Sequence, residues 1–298
     1  MRLRTLPLSL AGVVCGATLG YVQPACRPGT HIFLLLTAVF LQILSNLSNE
    51  MGDHLSGVDN EGREGPNYSL SDGGLTVKQM WHAINVMVVL CALSGLAMLL
   101  FSFQFSIFNF QFSILLLLGA AAIWAATHYT LGKKPYGYIG LGDLFVFIFF
   151  GLVSVLGSYY VIAHGFIMPN GRLLCTLAPA VGVGLLSVAV LNVNNIRDMD
   201  SDEGIRKTVP LRVGKVWARI YQTALVVLGV ACFMWNEMNM SFSLLVVPFF
   251  LWHIVGVWRR DGKRLDPMLP LLVIATFVLA LIYSEIWNVE LTCPYPIW

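Results

Sequence analysis

Long runs of apolar residues dominate the chain, and short polar connections separate them. Nine runs are long enough for a membrane-spanning helix, which needs about 20 apolar residues to cross the hydrocarbon core. The predicted spans cover residues 5–24, 30–49, 80–102, 111–131, 143–165, 172–195, 214–235, 241–258 and 267–287. Because open sheet edges cannot face lipid, the pattern predicts an all-α, polytopic membrane helical bundle of nine transmembrane helices.

The composition supports an integral-membrane protein that is embedded in a lipid bilayer. Of the 298 residues, 57% are hydrophobic and only 11% are charged, whereas a soluble domain carries about 25% charged residues. The formal net charge of +2 gives no indication of a nucleic-acid partner. The six cysteines form no Cys-x-x-Cys pair, which argues against a disulfide framework or a zinc site.

The distribution of basic residues predicts the orientation in the membrane. When the connections are assigned alternately to two sides, sixteen Lys and Arg residues fall on one side and only Arg27 and Arg172 on the other. Since cytoplasmic connections carry the excess of Lys and Arg, we expect a multi-pass protein of the cytoplasmic membrane with its N-terminus inside and its C-terminus outside. The long connections 50–79, 132–142, 196–213 and 259–266 would then face the cytoplasm, and so would an active site.

Two of these connections have similar polar sequences. The first acidic segment (residues 49–66) places Asn49 and Asp53 four positions apart, and the second acidic segment (residues 192–210) does the same with Asp198 and Asp202. Residues four apart share one face of a helix. The similarity predicts a single domain, 1–298, made of two related halves at about 1–142 and 143–298 that face one cavity.

The acidic side chains of the two segments are candidate ligands of a metal ion. Carboxylates held close together repel each other unless a cation lies between them, and Mg²⁺ shares its coordination shell between carboxylates, waters and substrate phosphates. The predicted catalytic acids are Asp53, Asp59, Asp198 and Asp202, and Asn49 and Asn195 complete the predicted metal ligands. The alternative for each acid taken alone is a solvated loop charge, which is the interpretation we give to Asp200.

Basic residues near the acidic segments are candidate ligands of a diphosphate. Arg63, Arg206, Lys207 and Arg212 would neutralise phosphate oxygens, although topology alone also places basic residues there. Tyr129 and Lys133 would share one helical face beside them. Aromatic residues such as Trp124, Phe145, Phe149, Tyr159 and Tyr160 would line a cavity and stabilise a cation, or would serve only for packing or in an interfacial belt.

The motifs resemble those of a known family. The sequences NEMGD at 49–53, YTLGK at 129–133 and NIRDMDSD at 195–202 are similar to the paired acidic motifs and the YxxxK element of the UbiA-type intramembrane aromatic prenyltransferases. The segments KPYGYIGLGD at 134–143 and NVNNIRDMDSD at 192–202 resemble the branch that prenylates 1,4-dihydroxy-2-naphthoate in menaquinone biosynthesis. Glu50 departs from the family pattern, which has Asp at this position.

The resemblance implies nine spans around a central cavity and an Mg²⁺-dependent transfer reaction. The donor would be a polyprenyl diphosphate, the acceptor 1,4-dihydroxy-2-naphthoate, and the products demethylmenaquinone, CO₂ and diphosphate. Two alternatives stay open: a prenyltransferase for 4-hydroxybenzoate, homogentisate or haem, and a membrane transporter, although acids at helix ends favour chemistry at the surface over alternating access. The sequence does not define an oligomeric state.

Overall fold

The computed structural model describes residues 3–21, 28–57, 70, 74–103, 110–165, 173–234 and 244–292. This part of the chain is helical and contains no strand, as predicted. The helices are α1 (Leu6–Gly20), α2 (Pro28–Ser56), α3 (Val77–Ser102), α4 (Phe110–His128), α5 (Gly142–Ala163), α6 (Leu173–Arg197), α7 (Met199–Asp202), α8 (Val209–Val213), α9 (Lys215–Ala231), α10 (Val247–Arg259) and α11 (Met268–Thr292).

Each of the nine predicted spans overlaps one of these helices, but six helices among the described residues are long and apolar enough to cross a membrane. The other three predicted spans overlap shorter helices, namely α1, α9 and α10, which have 15, 17 and 13 residues. A helix of 17 residues is about 26 Å long, somewhat less than the hydrocarbon core of about 30 Å. The structure therefore supports a multi-pass helical membrane protein, and nine spans stay a prediction.

Local sequence signals explain where several helices begin and end. Thr76 caps α3, since its Oγ1 accepts a hydrogen bond of 3.2 Å from the amide of Gln79, whose Oε1 in turn accepts one of 2.9 Å from the amide of Thr76. This reciprocal arrangement satisfies backbone donors that a helix leaves free at its first turn. Helix α4 ends at His128, and Gly132 follows with a φ of +104°, which a residue with a side chain rarely adopts.

Helix α6 occupies the centre of the fold. In an apolar stretch of 18 residues in α6, 72% of the residues are buried inside the protein, whereas the buried share of the corresponding stretch in α4 is 11%. It packs against α5, which is a π-helix from Phe147 to Gly157. The two helices approach closely at two glycines, because a Cβ added at Gly151 would lie 2.6 Å from the Cα of Gly184. Such close approach is typical of small residues at helix interfaces in membranes.

Buried polar side chains join α6 to the helices that follow it. The Nδ2 of Asn192 donates to Gln222 Oε1 at 2.8 Å, and the Nε2 of Gln222 lies 2.9 Å from His253 Nε2. His253 Nδ1 lies 3.0 Å from the carbonyl oxygen of Met268, which only accepts, so Nδ1 carries the proton and Nε2 accepts from Gln222. This series of hydrogen bonds fixes α6, α9, α10 and α11 relative to each other, and none of its side chains is an exposed charge.

The connections that were predicted to lie on one side of the membrane meet at one end of the bundle. The amide of Lys207 donates to the carbonyl of Tyr138 at 3.0 Å, and Arg197 donates to Asp266 at 2.7 Å. These contacts bring the connections around residues 132–142, 196–213 and 259–266 together. The end of α2 joins them, because Ser56 Oγ lies 2.8 Å from the hydroxyl of Tyr138.

Candidate functional site

A cavity of about 500 Å³ lies between α1, α2, α4, α5 and α6. Apolar side chains line most of it, among them Val13, Leu34, Leu118 and Val153. Polar side chains line the end toward which α2 and α6 run, namely Asn46, Asn49, Asp53, Asn194, Asn195, Arg197 and Arg206. The cavity therefore accommodates a molecule that is apolar over most of its length and polar at one end.

At the polar end, Arg206 joins the two acidic segments. It forms an ion pair with Asp53 of the first segment, and its Nε lies 3.6 Å from Asp202 Oδ1 of the second. Asp53 and Asp202 are 2% and 1% exposed. Burial would lower the pKa of Arg206, but the charges of Asp53 and Asp202 outweigh it, and the pKa lies above its ordinary value. Arg206 is therefore a permanent cation between two buried carboxylates.

Asp198 has a different environment. Helix α6 ends at Arg197 and the short helix α7 follows, so Asp198 lies at the junction between them instead of inside one helix. The one-turn spacing persists, because the amide of Asp202 donates to the carbonyl of Asp198 at 2.9 Å. The carboxylate of Asp198 accepts hydrogen bonds of 2.7 Å from Nε and Nη2 of Arg197. Asp200 is exposed, as expected.

The prediction that Tyr129 and Lys133 share a helical face is wrong, because α4 ends at His128, and Tyr129 lies in a turn and Lys133 in a bend. Tyr129 lines the cavity. Lys133 is exposed and is not among the cavity-lining residues. Its contact with a diphosphate stays a prediction.

Of the basic residues that follow α7, Arg206 is the one that lines the cavity. Lys207 is exposed, and its backbone amide donates a hydrogen bond to the carbonyl of Tyr138. Arg212 is also exposed and donates to the carbonyl of Ile139 at 2.8 Å. The roles of Lys207 and Arg212 at a diphosphate stay predictions, while the position of Arg206 makes it the stronger candidate.

Asn49 and Asn195 both line the cavity. Asn49 Oδ1 lies 3.3 Å from Thr130 Oγ1, and Asn195 is buried. Its neighbour Asn194 also lines the cavity and lies 3.4 Å from Asp198 Oδ2, so the spacing of Asn49 to Asp53 recurs between Asn194 and Asp198. The predicted residues Asp59 and Arg63 lie outside the described residues.

Glu50, which stands where the resembled family has Asp, does not line the cavity. It is 2% exposed, and its Oε1 accepts a hydrogen bond of 3.2 Å from the amide of Leu70. The side chain of Glu50 thus contacts the backbone at Leu70. Sequence reasoning gave it no such role, because the contact spans twenty positions with no periodic pattern.

An aromatic wall adjoins the polar end. Tyr136 stacks on Phe145 with ring centroids 4.1 Å apart, and Phe149 continues the row at 6.2 Å from Phe145. All three line the cavity, whereas Trp124, Tyr159 and Tyr160, which were also candidates, are not among its lining residues. Sequence reasoning missed Tyr136, which belongs to a turn where helical periodicity gives no signal.

The side chains at the polar end suit a hard divalent cation. Asp53 and Asp202 contact one guanidinium, so their carboxylates are near enough to share one cationic group. Mg²⁺ usually takes one or two carboxylates together with substrate phosphates and water. Within the described residues, no group of three or more His, Cys, Asp or Glu side chains would hold a metal by itself. The predicted ligand Asp59 lies outside the described residues.

Comparison with known proteins agrees with these features. The family model described as "UbiA prenyltransferase family" matches residues 6–269. The chain is 38% identical over 299 residues to the 1,4-dihydroxy-2-naphthoate octaprenyltransferase of Escherichia coli K12, which covers 96% of this chain and 94% of that protein.

Solved structures share the fold at lower identity. The apo structure of a UbiA homolog from Aeropyrum pernix K1 superposes with a TM-score of 0.70 at 17% identity, over 97% of this chain and 99% of the other. A UbiA homolog from Archaeoglobus fulgidus bound to GPP and Mg²⁺ gives a TM-score of 0.62 at 17% identity, over 98% and 99%. The motifs, the helical fold and these matches together identify the chain as a member of the UbiA prenyltransferase family, the class of enzymes that transfer prenyl groups.

Proposed function

We propose that this protein transfers a polyprenyl group from polyprenyl diphosphate to 1,4-dihydroxy-2-naphthoate in an Mg²⁺-dependent reaction. The observation that carries the proposal is the contact of Arg206 with both Asp53 and Asp202 at the polar end of an aromatic cavity. The choice of acceptor is supported by the relative from Escherichia coli, whose name specifies that substrate. Mg²⁺ is supported by the fold neighbour that was solved with GPP and Mg²⁺.

The diphosphate of the donor would lie at the polar end and the prenyl chain along the apolar walls. Asp53 and Asp202, with the predicted ligands Asn49, Asp59, Asn195 and Asp198, would hold Mg²⁺, which would offset the charge of the leaving diphosphate. Arg206 adds a cation next to that charge. The predicted contacts of Arg63, Tyr129, Lys133, Lys207 and Arg212 would complete the diphosphate site. When the allylic carbon–oxygen bond breaks, its electron pair leaves with the diphosphate.

The acceptor would react against the aromatic wall. The π-faces of Tyr136, Phe145 and Phe149 stabilise positive charge on the prenyl carbon, and the apolar lining keeps water from attacking it. The ring carbon that bears the carboxylate forms the new carbon–carbon bond to the prenyl group. Loss of CO₂ then returns an electron pair to the ring and restores its aromaticity, which yields the quinol form of demethylmenaquinone.

We further propose that the protein spans the cytoplasmic membrane nine times, with the N-terminus inside and the C-terminus outside, so that the polar end faces the cytoplasm. The excess of basic residues in the connections that meet there supports this orientation. The single domain would consist of two related halves, 1–142 and 143–298. Labelling of cysteines introduced at the two termini with an impermeant reagent tests the orientation, and equal labelling of both from one side contradicts it.

The function is tested by supplying membranes that contain the protein with a polyprenyl diphosphate and either of two acceptors. We expect a prenylated naphthoquinol with 1,4-dihydroxy-2-naphthoate, no product after chelation of divalent metal, and recovery on addition of Mg²⁺. Preferential turnover of 4-hydroxybenzoate would contradict the acceptor assignment. Full activity in the presence of a chelator would contradict the metal dependence.

A further inference from the structure

The connection between α4 and α5 (residues 129–141) folds over the polar end of the cavity, and one of its side chains touches both acidic segments. The hydroxyl of Tyr138 donates to Asp53 Oδ1 at 3.2 Å and lies 2.8 Å from Ser56 Oγ, at the end of α2. The guanidinium carbon of Arg206 lies over the ring of the same tyrosine, 4.7 Å from its centroid. The hydroxyl makes the contact with Asp53 and the ring makes the contact with Arg206, so a substitution can remove the first contact and leave the second.

Hydrogen bonds of the connection fix the position of Tyr138 from both sides. Toward α4, the amide of Gly137 donates to the carbonyl of Tyr129 at 3.0 Å, and the hydroxyl of Tyr136 donates to the carbonyl of Ala125 at 2.7 Å. Toward the second acidic segment, the carbonyl of Tyr138 accepts from the amide of Lys207 at 3.0 Å. Because the connection is held at both ends, the ring of Tyr138 stays beside Arg206.

Arg212 reinforces the same connection one residue later. It donates to the carbonyl of Ile139 at 2.8 Å, and its guanidinium packs against Gly140, whose φ is +91°. At this position any Cβ would meet the arginine, and a positive φ disfavours residues with side chains. The sequence YIG therefore allows Arg212 to hold the connection in place.

The arrangement has a consequence for substrate binding. If Asp53 turns to a metal ion, Arg206 loses its ion pair with Asp53, and the face of the Tyr138 ring still attracts the guanidinium. The hydroxyl donates to the same oxygen of Asp53 that Arg206 contacts, so it limits how far this carboxylate turns.

We propose that Tyr138 is a positioning residue that holds Asp53 by its hydroxyl and Arg206 by its ring, and so aligns the two acidic segments around the diphosphate. The inference rests on the proposed function, since it takes the polar end of the cavity to be the diphosphate site. Tyr138 itself takes no part in bond making.

Two substitutions separate the contacts. Tyr138→Phe removes the hydroxyl and keeps the ring, so we expect an increase of about two- to tenfold in the Mg²⁺ concentration that gives half-maximal activity, the size of one neutral hydrogen bond. Tyr138→Leu removes both, and we expect an additional increase of about three- to thirtyfold in the KM for polyprenyl diphosphate. The KM for the naphthoate acceptor should not change. Ile139→Ala, at the exposed neighbouring side chain, is the matched control and should behave as the wild type.

Binding without turnover provides a second measurement. A prenyl thiolodiphosphate, which does not release its diphosphate readily, is titrated into the purified protein in detergent with and without Mg²⁺. We expect weaker binding by Tyr138→Leu and near-normal binding by Tyr138→Phe in the absence of metal, with thermal midpoints of both variants close to that of the wild type. Unchanged thiolodiphosphate affinity in Tyr138→Leu would overturn the inference. Equal increases in both KM values together with a lowered thermal midpoint would also overturn it, because they indicate a general structural role.

The same titration separates this inference from the proposed function. If wild-type protein does not bind the thiolodiphosphate at all, the proposed function fails and the inference fails with it. If the wild type binds and turns over the donor while the Tyr138 variants match it, only the inference fails.

Discussion

Arg197 binds the carboxylate of its sequence neighbour Asp198 through two hydrogen bonds of 2.7 Å. The two residues are 4% and 2% exposed, and a third bond of 2.7 Å joins Arg197 to Asp266 before α11. Asp198 therefore has a structural partner in addition to its predicted role as a metal ligand. Arg197, one of the sixteen basic residues counted for the orientation, holds the junction of α6 and α7 in place.

This pair predicts a double effect of Asp198→Ala. Removal of one partner of a buried ion pair costs about 3–5 kcal/mol, and the remaining bond to Asp266 reduces that cost for Arg197. We expect a clearly lowered thermal midpoint in detergent together with loss of activity. Asp200→Ala, two residues away and exposed, is the control and should change neither. A variant at Asp198 with a normal midpoint and full activity would show that the pair contributes nothing.

Arg206 and Lys207 are adjacent in sequence but differ in position. Because Arg206 lines the cavity and Lys207 is exposed, we expect Arg206→Gln to reduce kcat/KM for polyprenyl diphosphate by about 10- to 100-fold, the size of a hydrogen bond to a charged group. Lys207→Gln should have a smaller effect. Steady-state kinetics of the two variants at saturating acceptor decide between the residues, and a larger loss in Lys207→Gln would contradict the preference for Arg206.

The close approach of α5 and α6 predicts a packing defect in Gly151→Ala. The added methyl group would lie 2.6 Å from the Cα of Gly184 and 2.7 Å from the carbonyl of Ala180, and overpacking of this kind costs about 1–3 kcal/mol. We expect a lower thermal midpoint. Gly119→Ala in α4, where the added group has nothing within 4 Å apart from the neighbouring backbone of its own helix, is the matched control. Equal midpoints of the two variants would mean that the helices separate without cost.

The hydroxyl of Tyr138 predicts a simple pH profile. Burial raises the pKa of Tyr138 above the ordinary value of 10.0. The hydroxyl proton in the hydrogen bond to Asp53 is therefore present below pH 10 and is lost only as the pH rises through the raised pKa. We expect the ratio of kcat/KM between wild type and Tyr138→Phe to be constant from about pH 6 to 9, since a tyrosine does not titrate there. A ratio that falls within this range would indicate that the hydroxyl is already ionised.

The helices could be predicted from the sequence because each apolar run carries its own signal of length and hydropathy. The acidic residues near the C-terminal ends of α2 and α6 were found for the same reason, since their four-residue spacing is local. The contact of Arg206 with Asp53 and the place of Tyr138 were not predictable. They depend on a connection without periodicity, and because α4 ends at His128, Lys133 lies in a bend that no helical pattern describes.

The ion pair of Asp53 and Arg206 joins residues 153 positions apart in the chain. During synthesis, α2 is complete long before the residues that follow α7 have been made. The ion pair of Asp53 with Arg206 therefore forms only after the intervening helices have been inserted into the membrane. Non-local contacts of this kind form late because a long loop must close first. The chemistry of this protein can begin only after the greater part of the chain has been inserted.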